Sequence, residues 1–272
     1  MKRLLILFLT LAMLASACSA PATLAPAPTA APTATLEPQM LTIFAAASLT
    51  SAFGEIGKAF EAANPGVTVK FNFGGSQTLR TQVEQGAKAD VFASANTKEM
   101  EALVAGSFVT DGSPKPFATN QLIVIMPANN PAGLKTLADL ARSGLKIILA
   151  AKEVPVGNYA LQVLAKLDKS IGTGYKDKVL KNVVSYENDV KQVVAKIQLG
   201  EADAGIVYTS DTVAAPDLQK IEILAENNVI ARYPLAALTR TKSPKLAQAF
   251  IDYLLSANGQ SSLRKWGFLP VE

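Results

Sequence analysis

The chain has 272 residues, 49% of them hydrophobic and 18% charged, enough for one or two domains with substantial cores. It has no histidine and a single cysteine, which excludes Ser-His and Cys-His nucleophilic pairs, His-ligated or Cys-rich metal sites and any intrachain disulfide. The net charge of +4 becomes 4 − 2 = +2 without Lys2 and Arg3 of an expected leader, and the basic residues are interspersed with acidic ones, so charge makes no case for a nucleic-acid partner.

Residues 1–18 carry Lys2 and Arg3, an apolar run from Leu4 to Ala15, and then Ser16-Ala17-Cys18. This pattern predicts a secretory signal, too short for a comfortable membrane span. Cys18 follows small residues as in a bacterial lipobox, although Ala15 stands where leucine is commonest. The reading is a lipoprotein signal peptide with Cys18 as the lipidated N-terminus; ordinary cleavage nearby is the alternative. Residues 19–39 are mostly Ala, Pro and Thr. They cannot build a core and predict an extended tether that spans at most ~65 Å at ~3.1 Å per residue.

The folded part is expected to start near Met40. Leu41-Thr42-Ile43-Phe44 reads as a buried strand that runs through Ala45-Ala46-Ala47 into Ser48, the expected N-cap of a helix over 49–63. That helix places Leu49, Phe53, Ile56 and Phe60 on one face and stops at Asn64-Pro65-Gly66. A strand over 67–73 and a helix over 78–85 follow, then a strand over 89–95 and a helix over 97–105. Strands are expected at 121–126, 146–151, 182–185, 204–208 and 230–239, the last interrupted by Pro234. Helices are expected at 137–143, 159–167, 190–199 and 245–256, with a brief one following Thr209-Ser210-Asp211 and an end segment around Trp266. The alternation predicts parallel sheets covered by helices. About 230 residues suit two such sheets, and with no linker between them the two would share the chain through crossing strands.

Five strand-to-helix junctions carry small or hydroxyl residues and no Lys or Arg: Ala47-Ser48-Leu49, Gly75-Ser76-Gln77, Pro155-Val156-Gly157, Asn188-Asp189-Val190 and Tyr208-Thr209-Ser210. Ligands of open α/β sheets bind beyond the carboxyl ends of the strands. Helix N-termini there offer N–H groups and the positive end of the helix dipole, so they can hold an anion without a charged side chain. Each residue alone also has an ordinary reading: Ser48 and Ser76 as caps, Tyr208 as core, and Val156 and Val190 as unremarkable apolar positions. Pattern and spacing reach a secreted two-lobe α/β binder of unspecified ligand.

Enzymatic alternatives are weaker. Ser143-Gly144-Leu145-Lys146 matches Ser-x-x-Lys without the partner motifs of penicillin-binding enzymes, and Gly172-Thr173-Gly174 lacks the third glycine of a dinucleotide loop. A surface structural lipoprotein would leave the junction pattern unexplained.

Six stretches, in this order and spacing, carry a resemblance: Phe44-Ala45-Ala46-Ala47-Ser48-Leu49-Thr50, Gly75-Ser76-Gln77-Thr78-Leu79, Gly86-Ala87-Lys88-Ala89-Asp90-Val91-Phe92, Val154-Pro155-Val156-Gly157-Asn158-Tyr159-Ala160, Glu187-Asn188-Asp189-Val190 and Gly205-Ile206-Val207-Tyr208-Thr209-Ser210-Asp211. Over most of 41–269 the sequence resembles the molybdate-binding proteins of ABC importers, in the type II periplasmic-binding-protein superfamily. The resemblance implies an α/β fold of two lobes, each a mainly parallel sheet flanked by helices, with the ligand cleft between. Lobe I would be 41–121 plus 235–272, and lobe II 122–234. It implies that Ser48, Ser76 and Tyr208 donate hydroxyls, and Val156 and Val190 backbone N–H groups, to molybdate or tungstate. Molybdenum would be held only as its oxyanion, with no direct metal ligand, no cofactor and no catalysis. The implied partner is a membrane ABC permease, and the implied protein is an extracytoplasmic monomer held to the membrane by its N-terminal lipid. Two stretches depart from the usual pattern: Gly75-Ser76-Gln77-Thr78 replaces a run of hydroxyls, and Pro155-Val156-Gly157 replaces Pro-Ala-Gly. A donor-only site favours fully deprotonated anions, whereas hydrogen phosphate needs an acceptor. Glu187, Asp189 and Asp211 are near enough to act as acceptors or, more simply, as helix caps. The alternative ligand is another oxyanion such as sulfate, thiosulfate or phosphate.

Overall fold

A computed structural model describes residues 38–271. The expected leader with Cys18, and the tether up to residue 37, lie outside the described residues. In chain order the strands are β1 (Gln39–Ala46), β2 (Val67–Gly74), β3 (Val91–Ala93), β4 (Lys115–Asn120), β5 (Leu122–Met126), β6 (Ile147–Ala150), β7 (Val183–Glu187), β8 (Ala204–Tyr208), β9 (Gln219–Glu222) and β10 (Ala231–Ala237). The helices are α1 (Thr50–Ala63), α2 (Ser76–Glu84), α3 (Thr97–Ala105), α4 (Pro155–Ile171), α5 (Tyr175–Lys181), α6 (Val190–Gln198), α7 (Thr209–Val213), α8 (Pro244–Leu255) and α9 (Ala257–Lys265).

The strands form two five-stranded sheets, ordered β2-β1-β3-β10-β4 and β7-β6-β8-β5-β9. In the first sheet β1, β2 and β3 are parallel, and β10 is antiparallel to both its neighbours. In the second, β6, β7 and β8 are parallel, and β5 is antiparallel to both its neighbours. The sheets are thus parallel on one side and antiparallel where the chain enters or returns. β10 pairs along its length with the first sheet, beginning with Ala231 opposite Asn120. The return therefore precedes Ala231 instead of falling at residue 235, because a strand paired on both sides cannot change sheets midway. The expected interruption at Pro234 is a register shift between Tyr233 and Pro234, as a residue without an N–H requires.

Apolar periodicity builds the core. α1 buries Ala52, Phe53, Ile56, Gly57 and Phe60. Phe53 meets the rings of Phe71, Phe117 and Phe250 at centroid distances of 6.0, 5.8 and 6.0 Å. These residues come from both ends of the described chain, so the C-terminal α8 closes the core that α1 opens.

Two buried asparagines fix the crossings between sheets. Asn120, the last residue of β4, donates from Nδ2 to Ser210 Oγ at 2.7 Å and accepts at Oδ1 from the Gln121 N–H and the Thr209 hydroxyl, both at 3.0 Å. Asn228, on the return path, accepts the Leu122 N–H at 3.0 Å and donates to the Leu122 carbonyl at 2.8 Å. At the far end, Leu269 exchanges both backbone hydrogen bonds with Thr119, at 2.8 and 2.9 Å.

The expected role of Ser48 as N-cap does not hold. Ala47–Leu49 is a turn of 3-10 helix and α1 starts at Thr50, so the Ser48 side chain is released from capping. Ser76 is likewise the first residue inside α2, behind Gly75. Four elements went unpredicted: β4 and β9 are edge strands, α5 is short, and α9 carries few apolar residues.

Candidate functional site

The five junction residues Ser48, Ser76, Val156, Val190 and Tyr208 come together around one small cavity of about 10 Å³, which Ala46, Ala47, Gly74, Gly75, Ala95, Val154, Pro155 and Asp189 complete. By the same measure this is about the room of one water molecule. Larger cavities occur elsewhere, for example one of about 520 Å³ beside Met40 and Arg240, but none of the five residues borders that one.

From the first sheet, β1 runs into the turn that holds Ser48, and β2 runs through Gly74-Gly75 into α2. Both serines are buried, and each already engages a neighbour: Ser48 Oγ lies 3.0 Å from the Tyr233 hydroxyl, and Ser76 Oγ accepts the Ala95 N–H at 3.0 Å. Since an N–H can only donate, the Ser76 proton is left for another acceptor.

From the second sheet, β6 leads to α4, which begins with Pro155 at its first position; Val156 is next. Proline is well suited there, and the N–H groups of a first helical turn have no partner within the helix. A methyl group at Gly157 would lie 2.1 Å from the Ala151 carbonyl oxygen, so only glycine lets this turn settle on the end of β6. β7 leads to α6, where Val190 is the first residue and Asp189 the N-cap, accepting the Gln192 N–H at 3.1 Å. β8 ends in Tyr208, whose buried hydroxyl has no hydrogen-bond partner. A buried polar atom left unpaired costs roughly 1–3 kcal/mol, and its position on the cavity wall marks a place for a ligand acceptor.

The nearby charges are committed within the protein. Lys191 lies 2.9 Å from Asp211 Oδ1, an ion pair out of line for a hydrogen bond, while Asp211 Oδ2 accepts the Tyr208 N–H at 3.2 Å. Burial pushes the Asp211 carboxyl up, against the pull of Lys191. For Glu187, burial also works upward, but the Lys196 ammonium at 2.6 Å and the Ser185 hydroxyl outweigh it and hold the carboxyl below its usual value. Burial raises the Tyr208 phenol well above the ordinary tyrosine value, so it remains an O–H donor. Of the three acidic candidates only Asp189 borders the cavity, and both its oxygens are occupied by Gln192. The wall thus presents hydroxyls and helix N-termini, a lining suited to a small anion that carries no proton. Among the described residues no cluster of His, Cys, Asp or Glu could hold a metal ion, and no helix is long and apolar enough to cross a membrane.

Sequence reasoning missed what stands behind the donors. Tyr233 backs Ser48 from β10, and its ring meets that of Tyr208 edge-on at 5.8 Å. Ala95 backs Ser76, and Gln77 reaches the Asn188 carbonyl. The only local hint was Pro234, which marked an irregularity beside Tyr233.

Known proteins are similar to this chain in sequence and fold. The family model of the bacterial extracellular solute-binding proteins matches residues 41–269. The chain is 39% identical over 229 residues to the molybdate-binding protein ModA of Mycobacterium tuberculosis, covering 84% of each chain. It is 34% identical over 230 residues to the putative ABC transporter substrate-binding lipoprotein YvgL of Bacillus subtilis, covering 84% of this chain and 85% of the relative. Among solved structures it is similar to the substrate-binding domain of a putative molybdenum ABC transporter from Clostridium difficile, with a TM-score of 0.65 and 33% identity over 86% of this chain and 99% of that one.

Proposed function

This chain belongs to the bacterial extracellular solute-binding protein family, and we propose that it is the molybdate-capturing component of an ABC importer. The observation that carries this reading is the unpartnered, buried hydroxyl of Tyr208 on a cavity where helices from both sheets begin. In this reading Ser48, Ser76 and Tyr208 donate hydroxyls to the anion, and Val156 and Val190 donate backbone N–H groups. Each hydrogen bond to a charged group contributes about 1.5–3 kcal/mol. Together they suffice for micromolar or tighter binding after the cost of association.

The first sheet supplies Ser48 and Ser76, and the second supplies Val156, Val190 and Tyr208. An anion that bridges them favours closure of the cleft, and a membrane permease would read the closed form. Tungstate, another tetrahedral dianion, would bind by the same contacts. Attachment through an acylated Cys18, with residues 19–39 as tether, would keep a monomeric receptor on the outer face of the cell membrane. The one other reading is a receptor for sulfate, a smaller tetrahedral dianion that the same proton-free set of donors would hold.

Thermal denaturation of the purified protein with molybdate, tungstate, sulfate or phosphate tests this reading. A ligand at 100 times its Kd stabilises by about 2.7 kcal/mol. The largest shift is expected with molybdate or tungstate. A larger shift with sulfate would reassign the ligand, and no shift with any oxyanion would overturn the reading.

A further inference from the structure

We propose that Tyr233 is a positioning residue that makes Ser48 a hydrogen-bond donor to the bound anion, and so helps the site reject anions that carry a proton. This rests on the reading above, in which Ser48 touches the ligand.

The two hydroxyl oxygens are 3.0 Å apart, and Ser48 and Tyr233 are 4% and 0% exposed. One proton lies between them, and its owner decides what Ser48 shows to the cavity. If Ser48 donated to Tyr233, only lone pairs would face the anion. If Tyr233 donates, the Ser48 proton is free for the ligand. A phenol is a stronger acid than an alkyl alcohol and the better donor of the two. The Asn120 side chain and the Tyr208 hydroxyl are further polar neighbours of the same phenol, outside hydrogen-bonding geometry. Burial raises the Tyr233 phenol far above its ordinary value, so its proton is present throughout the neutral range.

Ser76 provides the parallel. Its Oγ accepts from the Ala95 N–H, a group that can do nothing but donate. Both serines therefore have acceptor capacity filled from behind, one by a backbone amide and the other by a phenol. Tyr208 adds a hydroxyl with no partner. Hydrogen phosphate, with its own proton to place, meets three groups already set to donate. Only the wiring of Ser48 can be cut by a side-chain change.

The test is calorimetric titration of molybdate and phosphate at pH 7.5 into wild type, Tyr233→Phe, Ser48→Ala and the double variant. Tyr233→Phe is expected to weaken molybdate binding about three- to tenfold. Phosphate binding should fall less or improve, because the Ser48 hydroxyl is then free to turn and accept. In the Ser48→Ala background, Tyr233→Phe should have no further effect. Wild-type affinity and selectivity in Tyr233→Phe would overturn the proposal, as would an equal loss with and without Ser48. Failure of wild type to bind any oxyanion would strike the functional reading itself, and this one with it. Should Tyr233→Phe not fold, 3-fluorotyrosine placed at 233 keeps the shape and strengthens the donor: tighter molybdate binding supports the proposal, and unchanged or weaker binding overturns it.

Discussion

The Gln77 side-chain amide donates to the Asn188 carbonyl at 3.3 Å, joining the start of α2 on the first sheet to the start of α6 on the second. Beside it, a methyl group at Gly75 would lie 2.6 Å from the same carbonyl oxygen. The two halves meet here at a distance that only glycine permits. Gly75→Ala should oppose closure by about 1–3 kcal/mol, the usual cost of overpacking, and weaken molybdate binding by roughly five- to 150-fold. Gln77→Ala removes this one exposed bond across the cleft, together with a local one to the Thr78 hydroxyl at 3.2 Å, and should cost about 0.5–1.5 kcal/mol, expressed as faster release. Calorimetry and stopped-flow release measure both; equal affinity in Gly75→Ala would show that the cleft does not close at this point.

Tyr208→Phe should act in opposite directions on binding and on the free protein. Loss of a donor to a charged ligand should weaken molybdate binding by about 1.5–3 kcal/mol. Without ligand the same change removes an unpaired buried oxygen, so the melting temperature should stay level or rise. Melting curves with and without molybdate give both readings, and a large drop in the ligand-free curve would show that the hydroxyl serves folding instead.

Acid should destabilise the protein partly through Glu187. Its carboxyl sits below its ordinary 4.5 in the folded state. Such a group contributes stability that is present above the unfolded value and is lost as pH falls through the folded one. Asp211 has the opposite sign. Its folded value is raised from 3.8, so its contribution is full below that point and is lost as pH rises through the folded value. Glu187→Gln should flatten the acid limb of a urea-midpoint profile taken from pH 3 to 7. An acid limb as steep as that of wild type would remove Glu187 from the account.

Asn228→Ala would strand the Leu122 N–H and carbonyl in a buried place. At about 1–3 kcal/mol for each unsatisfied group, the loss should reach at least ~2 kcal/mol. Equilibrium urea unfolding measures it, and a loss below ~0.5 kcal/mol would mean that water or a backbone shift repairs the crossing.

The junctions were legible because their signals are local: an apolar β-branched run, small residues, and then helical periodicity. The N-cap assignment of Ser48 failed because its partner, Tyr233, is 185 positions away and preceded by no pattern that points back. Asn120 and Asn228 escaped for a similar reason, since an asparagine at a sheet crossing reads locally as a loop residue. β4 and β9 have too little apolar alternation to stand out, because each lies at the edge of its sheet and exposes part of its length. Pattern and spacing grouped the five junctions, and the family resemblance supplied the expected ligand and the role of each residue; the arrangement behind the donors is visible only in three dimensions.

The position of β10 bears on how the chain is made. It is inserted between β3 and β4, strands that do not pair with each other. A chain emerging from its N-terminus therefore has β4 waiting, with its ladder partners more than a hundred residues short of synthesis. The second sheet runs without interruption from β5 to β9 and needs no later strand. Vectorial folding would complete the second half of the protein before the first, and the serine side of the clamp would be the last part to form.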